Sequence, residues 1–343
     1  MMHCPYPLQA LNSFKVPACA AHYIQLNSLK DIADFCAAVP INQTPFYILG
    51  GGSNTLFAKD FPGYILHVQL PGIEVIEETR YKVLIKAGAG VPWHQLVLFC
   101  IKKGYGGIEN LSLIPGTVGG APIQNIGAYG VELKDVLDSV EAIELSTGRK
   151  ITLQASACGF EYRTSFFKTK WKQQYLITSI TLALHKEENF SIAYEAIQNM
   201  LEKMEIKRPS FKAISEAIIA IRKQKLPDPA ILGNAGSFFQ NPLIATAHHQ
   251  WLKQQYPSLI AFNTQDHKQI KISAAWLIEA AGFKGLRQGN TGVYAAHALI
   301  LVNYGGATGK DIINLATEIK QKVQNQFDIT LIPEVNIVCG TIE

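Results

Sequence analysis

At 343 residues the chain has room for two or three domains, each able to bury a core. With 48% hydrophobic and 17% charged residues, and aromatics spread along its length, it reads as a globular protein and not a disordered one. A formal charge of +4 without any block of basic residues gives no footprint for nucleic acid and leaves anionic small molecules open. Cys4, Cys19, Cys36, Cys100, Cys158 and Cys339 form no C-x-x-C pair or zinc-like spacing, so reduced structural thiols and no metal are expected. The start "MMHCPYPLQALNSFK" lacks the basic head and apolar run of a signal peptide. Nor is there an uninterrupted run of about 18 apolar residues, so a soluble cytoplasmic protein without membrane insertion is expected.

In chain order, "SLKDIADFCAAV" places Leu29, Ile32, Phe35 and Cys36 at helical spacing behind a Ser28 cap. The strand "FYILG", the turn "GGGSN", the apolar "YILHVQL" and the strand-like "YKVLIKAGAG" follow, an α+β pattern. "VPWHQLVLFCIKKG" predicts a helix ended by Gly104. The glycine-rich tract from Gly104 to Gly130 carries Ile108, Leu111, Leu113, Ile114, Val118 and Ile126, which need burial, so it reads as closely packed backbone and not a linker. "VEAIEL" and "YLITSITLAL" read as strands. "FKAISEAIIAIRKQK" lines Ile214, Ala217, Ile218 and Ile221 along one helical face until Pro227 and Pro229 stop it, the best candidate for a domain boundary. Beyond it come a helix in "KISAAWLIEAAGFKG" ended by Gly282 or Gly285, a buried strand "HALILVN", and a helix from 309 behind a Thr308–Asp311 capping box. The closing "ITLIPEVNIV" reads as strand.

The glycine stretches "LGGGSN" (49–54) and "PGTVGGAPIQNIGAYG" (115–130) each offer backbone N–H groups without side-chain obstruction, as a phosphate-binding concavity requires. Neither fits G-x-G-x-x-G or a Walker loop, and "GGATGKD" (305–311) reads as a loop and helix cap. A single such stretch is as well explained by a tight turn; two together suit the ends of a long dinucleotide. In "GNAGSFFQNP", Ser237 is not a hydrolase nucleophile elbow, because Ala235 and Phe239 replace the glycines of G-x-S-x-G.

The motifs "ILGGGSNTLF", "LSLIPGTVGGAPIQNIGAYG", "YRTSFFK", "KLPDPAILGNAGSFFQNP", "WLIEAAGFKG" and "IPEVNIV", in this order, resemble the UDP-N-acetylenolpyruvoylglucosamine reductase family over nearly the whole chain. Tyr194 in "SIAYEAI" and the extra segment around 243–272 resemble its longer form. The resemblance implies an α+β chain with a vanillyl-alcohol-oxidase-type (PCMH-type) FAD-binding fold of two subdomains. These would be residues 1–70 and 71–224, the second joined by a C-terminal strand 330–343, with an α+β substrate-binding domain at 225–329. It also implies non-covalent FAD, with Gly50, Gly51, Gly52, Ser53 and Asn54 at the diphosphate, and Gly116, Thr117, Gly120, Ala121, Asn125 and Gly127 along the flavin and ribityl chain.

The implied reaction is NADPH-dependent reduction of UDP-N-acetylglucosamine enolpyruvate to UDP-N-acetylmuramate for peptidoglycan, by a cytoplasmic monomer, with hydride from flavin N5. It needs groups that stabilise a developing enolate, an acid for the α-carbon, and exclusion of water. By resemblance Arg163 and Glu334 serve the enolate and Ser237 donates the proton, with Phe238 and Phe239 excluding solvent. Lys225, Asn241, Tyr162 and Tyr194 would meet the substrate, with Phe262 and His297 standing where relatives carry a tyrosine and a glutamine. Read without the family, Arg163 is a sheet-edge cation, Glu334 a paired buried carboxylate and Lys225 a solvated helix end.

Overall fold

The computed structural model describes residues 5–264 and 268–342, so Cys4 and residues 265–267 of the extra segment lie outside it. The chain divides into two units. The first comprises residues 1–6, 20–52 and 62–224, and the second residues 7–19, 53–61 and 225–343.

In the first unit "YLITSITLAL" forms the middle of an antiparallel five-stranded sheet ordered Arg149–Gln154, Leu137–Glu144, Tyr175–His185, Lys82–Gly88, Ile73–Glu78. A strand covered on both faces carries apolar residues at successive positions, which is the pattern read from it. Helix α2 (Trp93–Lys102) follows Lys82–Gly88 and buries Trp93, Leu96, Val97 and Cys100 in the same core. A second sheet places Phe61–Val68 between Cys19–Leu26 and Phe46–Leu49, the last pair parallel with Leu49 opposite His67. Helix α1 (Leu29–Ala38) starts at Ser28, whose hydroxyl accepts from the Asp31 N–H while the Asp31 carboxylate returns the bond. The glycine-rich tract is packed, as its composition requires: Ile108, Leu111 and Val118 are fully buried, and Leu113, Ile114 and Ile126 half-buried. Helices α3 (Glu195–Lys203) and α4 (Phe211–Lys225) share a small core of Ile197, Leu201, Ile214, Ala217 and Ile218.

In the second unit Gly233–Ser237, Ile300–Asn303, Thr291–Val293 and Arg287–Gln288 form one sheet in that order, and Leu243–Ala245, Gln269–Ile272 and Ala261–Asn263 contribute to another. Three helices, α5 (Thr246–Gln255), α6 (Ala274–Ala280) and α7 (Gly309–Phe327), accompany them. The Thr308–Asp311 capping box is present, and Ile312, Ala316, Ile319, Val323 and Phe327 of α7 are fully buried. Two expectations are corrected. Lys271 and Ile272 belong to a strand, so α6 starts only at Ala274 behind the Ser273 cap. The closing "ITLIPEVNIV" is a ladder only at Asn336–Val338, which pairs in parallel with Thr55–Phe57. Pro333 has no N–H to give a ladder and makes an isolated bridge with Phe239. No helix among the described residues is long and apolar enough to cross a membrane.

Candidate active site

The expected site residues fall on both units. In the first, the two glycine stretches lie closely against each other. A Cβ on Gly50 would lie 2.6 Å from Thr117 Oγ1, and one on Gly51 would lie 3.0 Å from Gly116 Cα. Gly52 (φ +62°) and Gly116 (φ +108°) take left-handed backbone, which glycine adopts without a Cβ penalty. Successive N–H groups in such turns make an anion-binding concavity, so this pair of loops fits the diphosphate of FAD. Gly120 is exposed, whereas Ala121 is buried beside it.

Further along the tract, fully buried Asn125 (φ +46°) ties three segments together. Its amide donates to Glu132 Oε2 at 2.9 Å and to the Glu161 carbonyl at 3.1 Å, and its oxygen accepts from the Lys134 N–H at 3.0 Å. Arg163 (φ +55°) stands at the tip of a turn in which Glu161 and Thr164 bond each other in both directions. Its guanidinium donates to the Gly127 carbonyl at 2.6 Å and lies 5.2 Å from the centroid of the Tyr162 ring. The Ser165 hydroxyl donates to the Ile123 carbonyl at 2.8 Å, a second tie between this turn and the tract. Tyr194 is half exposed at the start of α3 and meets Tyr129 edge-on at 6.0 Å. The Asn110 amide joins its segment to the tract by donating to the Ser191 and Tyr129 carbonyls, a clip the sequence reading missed.

In the second unit Ser237 ends the Gly233–Ser237 strand just after a bulge, where Ala235 and Gly236 lie between the pairs Asn234–Val302 and Ser237–Ile300. Gly236 takes φ +69°, and its N–H donates to the Asn234 side-chain oxygen at 2.9 Å. A bulge re-aims the side chain that follows it. Phe238 and Phe239, expected as solvent shields, are fully buried and edge-on at 5.0 Å, so they anchor the strand in the core. The same strand exit brings in Glu334, whose N–H donates to the Phe238 carbonyl at 2.8 Å. Asn54 holds this segment from the other side: its amide donates to the Glu334 carbonyl at 3.2 Å, and its own carbonyl accepts the Asn336 N–H at 3.0 Å. Ser237, Glu334 and Asn54, distant in sequence, are thus neighbours in fold.

Lys225 is the exposed last residue of α4, and its charge is felt by His297, whose imidazole is held below the ordinary histidine range first by burial and then by Lys225 and Lys284. The Asn241 side-chain oxygen accepts the Ala274 N–H at 2.9 Å at the start of α6. Phe262 is exposed on the Ala261–Asn263 strand opposite Lys271. Ser53 is partly buried at the turn leading into Thr55–Phe57.

A family model described as an FAD binding domain matches residues 20–154, the part of the chain that carries the glycine loops and the antiparallel sheet. This defines an FAD-dependent oxidoreductase with an α+β, PCMH-type cofactor fold. A second model, described as the UDP-N-acetylenolpyruvoylglucosamine reductase C-terminal domain, matches residues 228–338. A protein of that name from Amoebophilus asiaticus is 48% identical over 332 residues, covering 97% of this chain and 98% of its own length. Another from Flavobacterium johnsoniae is 41% identical over 334 residues, covering 97% and 98%. The crystal structure of UDP-N-acetylenolpyruvylglucosamine reductase from Thermus caldophilus shares the fold at TM-score 0.66 and 22% identity, over 96% of each chain. The chain belongs to the UDP-N-acetylenolpyruvoylglucosamine reductase family.

Proposed function

We propose that the chain reduces UDP-N-acetylglucosamine enolpyruvate to UDP-N-acetylmuramate with NADPH, as a cytoplasmic monomer supplying peptidoglycan precursor. The observation that carries this reading is the convergence of Ser237, placed after a bulge, with Glu334 at one strand exit. FAD, when bound, would supply the hydride-transfer chemistry between the nicotinamide and the enolpyruvyl group. Residues 50–54 and 116–127 would hold it, mainly through backbone, since the Asn54 and Asn125 amides are engaged within the protein.

The remaining chemistry belongs to side chains. Charge that develops on the α-carbon spreads into the substrate carboxylate, and Arg163 and Glu334 serve that enolate. Ser237 Oγ then gives its proton to the α-carbon, a step a weakly acidic hydroxyl can take because the acceptor is strongly basic. Lys225 suits the sugar nucleotide's diphosphate, with Asn241, Tyr162, Tyr194, Phe262 and His297 as further contacts. In this assignment residues 1–70 and 71–224 with 330–343 carry the cofactor, and 225–329 the substrate.

Separating the half-reactions tests the proposal. Ser237→Ala is expected to keep flavin reduction by NADPH within a few-fold of the parent while reduction of the enolpyruvyl sugar falls by about 100-fold or more. Equal loss in both halves removes Ser237 from the proton step. NADPH oxidation indifferent to the sugar removes the substrate assignment.

A further inference from the structure

Tyr194 is 50% exposed and follows a stretch without helix or ladder, residues 189–193. Such a stretch is ordered by whatever its backbone groups meet. Here the donor is Asn110, fully buried in the turn Glu109–Leu111, whose amide reaches the Ser191 carbonyl at 2.8 Å and the Tyr129 carbonyl at 3.0 Å. That turn is fixed in its own right. The Trp93 indole N–H donates to the Leu111 carbonyl at 3.0 Å, and the Glu109 carboxylate accepts the Gly107 N–H at 2.6 Å. One amide on a rigid base thus holds both segments that carry the Tyr129 and Tyr194 rings, which meet edge-on. The Asn110 Oδ1 is buried and takes no bond among the described residues. Burying an unpaired acceptor costs free energy, so this asparagine is a poor filler of space and its use lies in the two bonds that it donates.

The surface under Tyr194 is shaped to receive it. Tyr129 (φ +49°) and Gly130 (φ +83°) both take left-handed backbone. A Cβ on Gly130 would lie 3.1 Å from Tyr194 Cε2 and 3.6 Å from Ser191 Oγ, so the glycine leaves the space in which the tyrosine and the clipped residue sit. From the other end, α3 begins behind Tyr194 and is anchored by Ile197 in the small core, against which Phe190 and Ile192 also pack. We propose that Asn110 is a positioning residue for substrate binding: by clipping Ser191 to the tract it holds the Tyr194 ring on Tyr129 and Gly130, in the place from which it meets the sugar nucleotide. A contact group held in place beforehand loses less freedom on binding, so the expected signature is in affinity and not in chemistry. This role rests on the reading that Tyr194 is a substrate contact.

Steady-state kinetics of the holoenzyme with the enolpyruvyl sugar, in a cycle of Asn110→Leu and Tyr194→Ala, tests it. Asn110→Leu keeps the size of the side chain and removes the donor. KM for the sugar is expected to rise about tenfold, with kcat within about threefold of the parent. In the Tyr194→Ala background the same substitution is expected to change KM by less than about twofold, because the ring it acts through is gone. General loosening of the fold would raise KM in both backgrounds alike. Should Asn110→Leu fail to fold, Asn110→Ser, which leaves room for a water to bridge the two carbonyls, takes its place in the cycle with a rise of about fourfold. An Asn110 variant that keeps KM within about twofold of the parent, while Tyr194→Ala raises it, overturns the role of Asn110 alone. An equal rise with and without Tyr194 does the same. A sugar KM unmoved by Tyr194→Ala removes Tyr194 from the substrate site and the positioning role with it.

Discussion

Asn125 and Arg163 both hold left-handed backbone, and the two cases differ in cost. Asparagine tolerates that region, whereas a long side chain is held there against roughly 1 kcal/mol of steric preference. The Arg163 turn persists because the Asn125 amide and the Ser165 hydroxyl tie it to the glycine tract. Asn125→Ala is expected to lower unfolding free energy by about 2–3 kcal/mol, read from the urea midpoint, because the Glu161 carbonyl and Lys134 N–H lose a buried partner. A loss below about 0.5 kcal/mol would show that water replaces the amide. Arg163→Gly separates strain from function: relaxed backbone offsets the lost bond to Gly127, so stability changes by less than about 1 kcal/mol, while sugar reduction falls about 100-fold or more. Unchanged turnover would remove Arg163 from the site. Among the thiols, burial pushes Cys100 up to about 12 and Cys158 to about 11, so both should resist alkylation in native protein while partly exposed Cys19 reacts.

The elements legible in the sequence are those whose signals are local. Helices α1 and α7 carry a capping box and an apolar stripe, and the strand at Tyr175–His185 an unbroken apolar run, so each was predictable from a short window. Helices α3 and α5 were not: α3 buries only Ile197 and Leu201, α5 only Leu252, and neither has a side-chain cap. Such helices owe their existence to tertiary packing. The closing strand was over-read because its apolar pattern continues through Pro333, where ladder pairing cannot. For the candidate site, motif order supplied the residue identities, but the clamps at Asn54, Asn110 and Asn241 join segments far apart in the chain and leave no local trace. The bulge before Ser237 lies between these cases, since "NAGS" announces a glycine without saying that a register shift needs it. Nothing lies within 4 Å of a Cβ at Gly236, so Gly236→Ala strains only φ +69° and is expected to cost about 1 kcal/mol in the denaturation midpoint. A larger loss would mean that the bulge itself collapses.

Across the whole molecule, His67, His94 and His297 connect pH to stability in one direction. Burial is the main cause holding each imidazole below its ordinary value, reinforced at His94 by Arg222 and Lys223 and at His297 by Lys225 and Lys284. In the unfolded chain the same groups take a proton near pH 6.5. Below that pH the unfolded state binds more protons than the folded one, so stability is full above about 6.5 and falls as pH drops through the window down to the depressed folded values. Carboxylates act lower. Asp31 and Asp311 are lowered chiefly by backbone N–H bonds from Asn27 and Thr308, and Glu78 chiefly by its bond from Lys186, so their contributions disappear only below the ordinary 3.8 and 4.5. Loss between about pH 6.5 and 5 therefore belongs to the histidines. The thermal midpoint should be level from about pH 8 to 7 and decline from about 6.5 to 5, with a shallower decline in His297→Gln, which removes one of the three titrations. A midpoint level down to pH 5 would mean that these rings gain their proton in the folded chain as readily as in the unfolded one, and that burial does not hold them neutral.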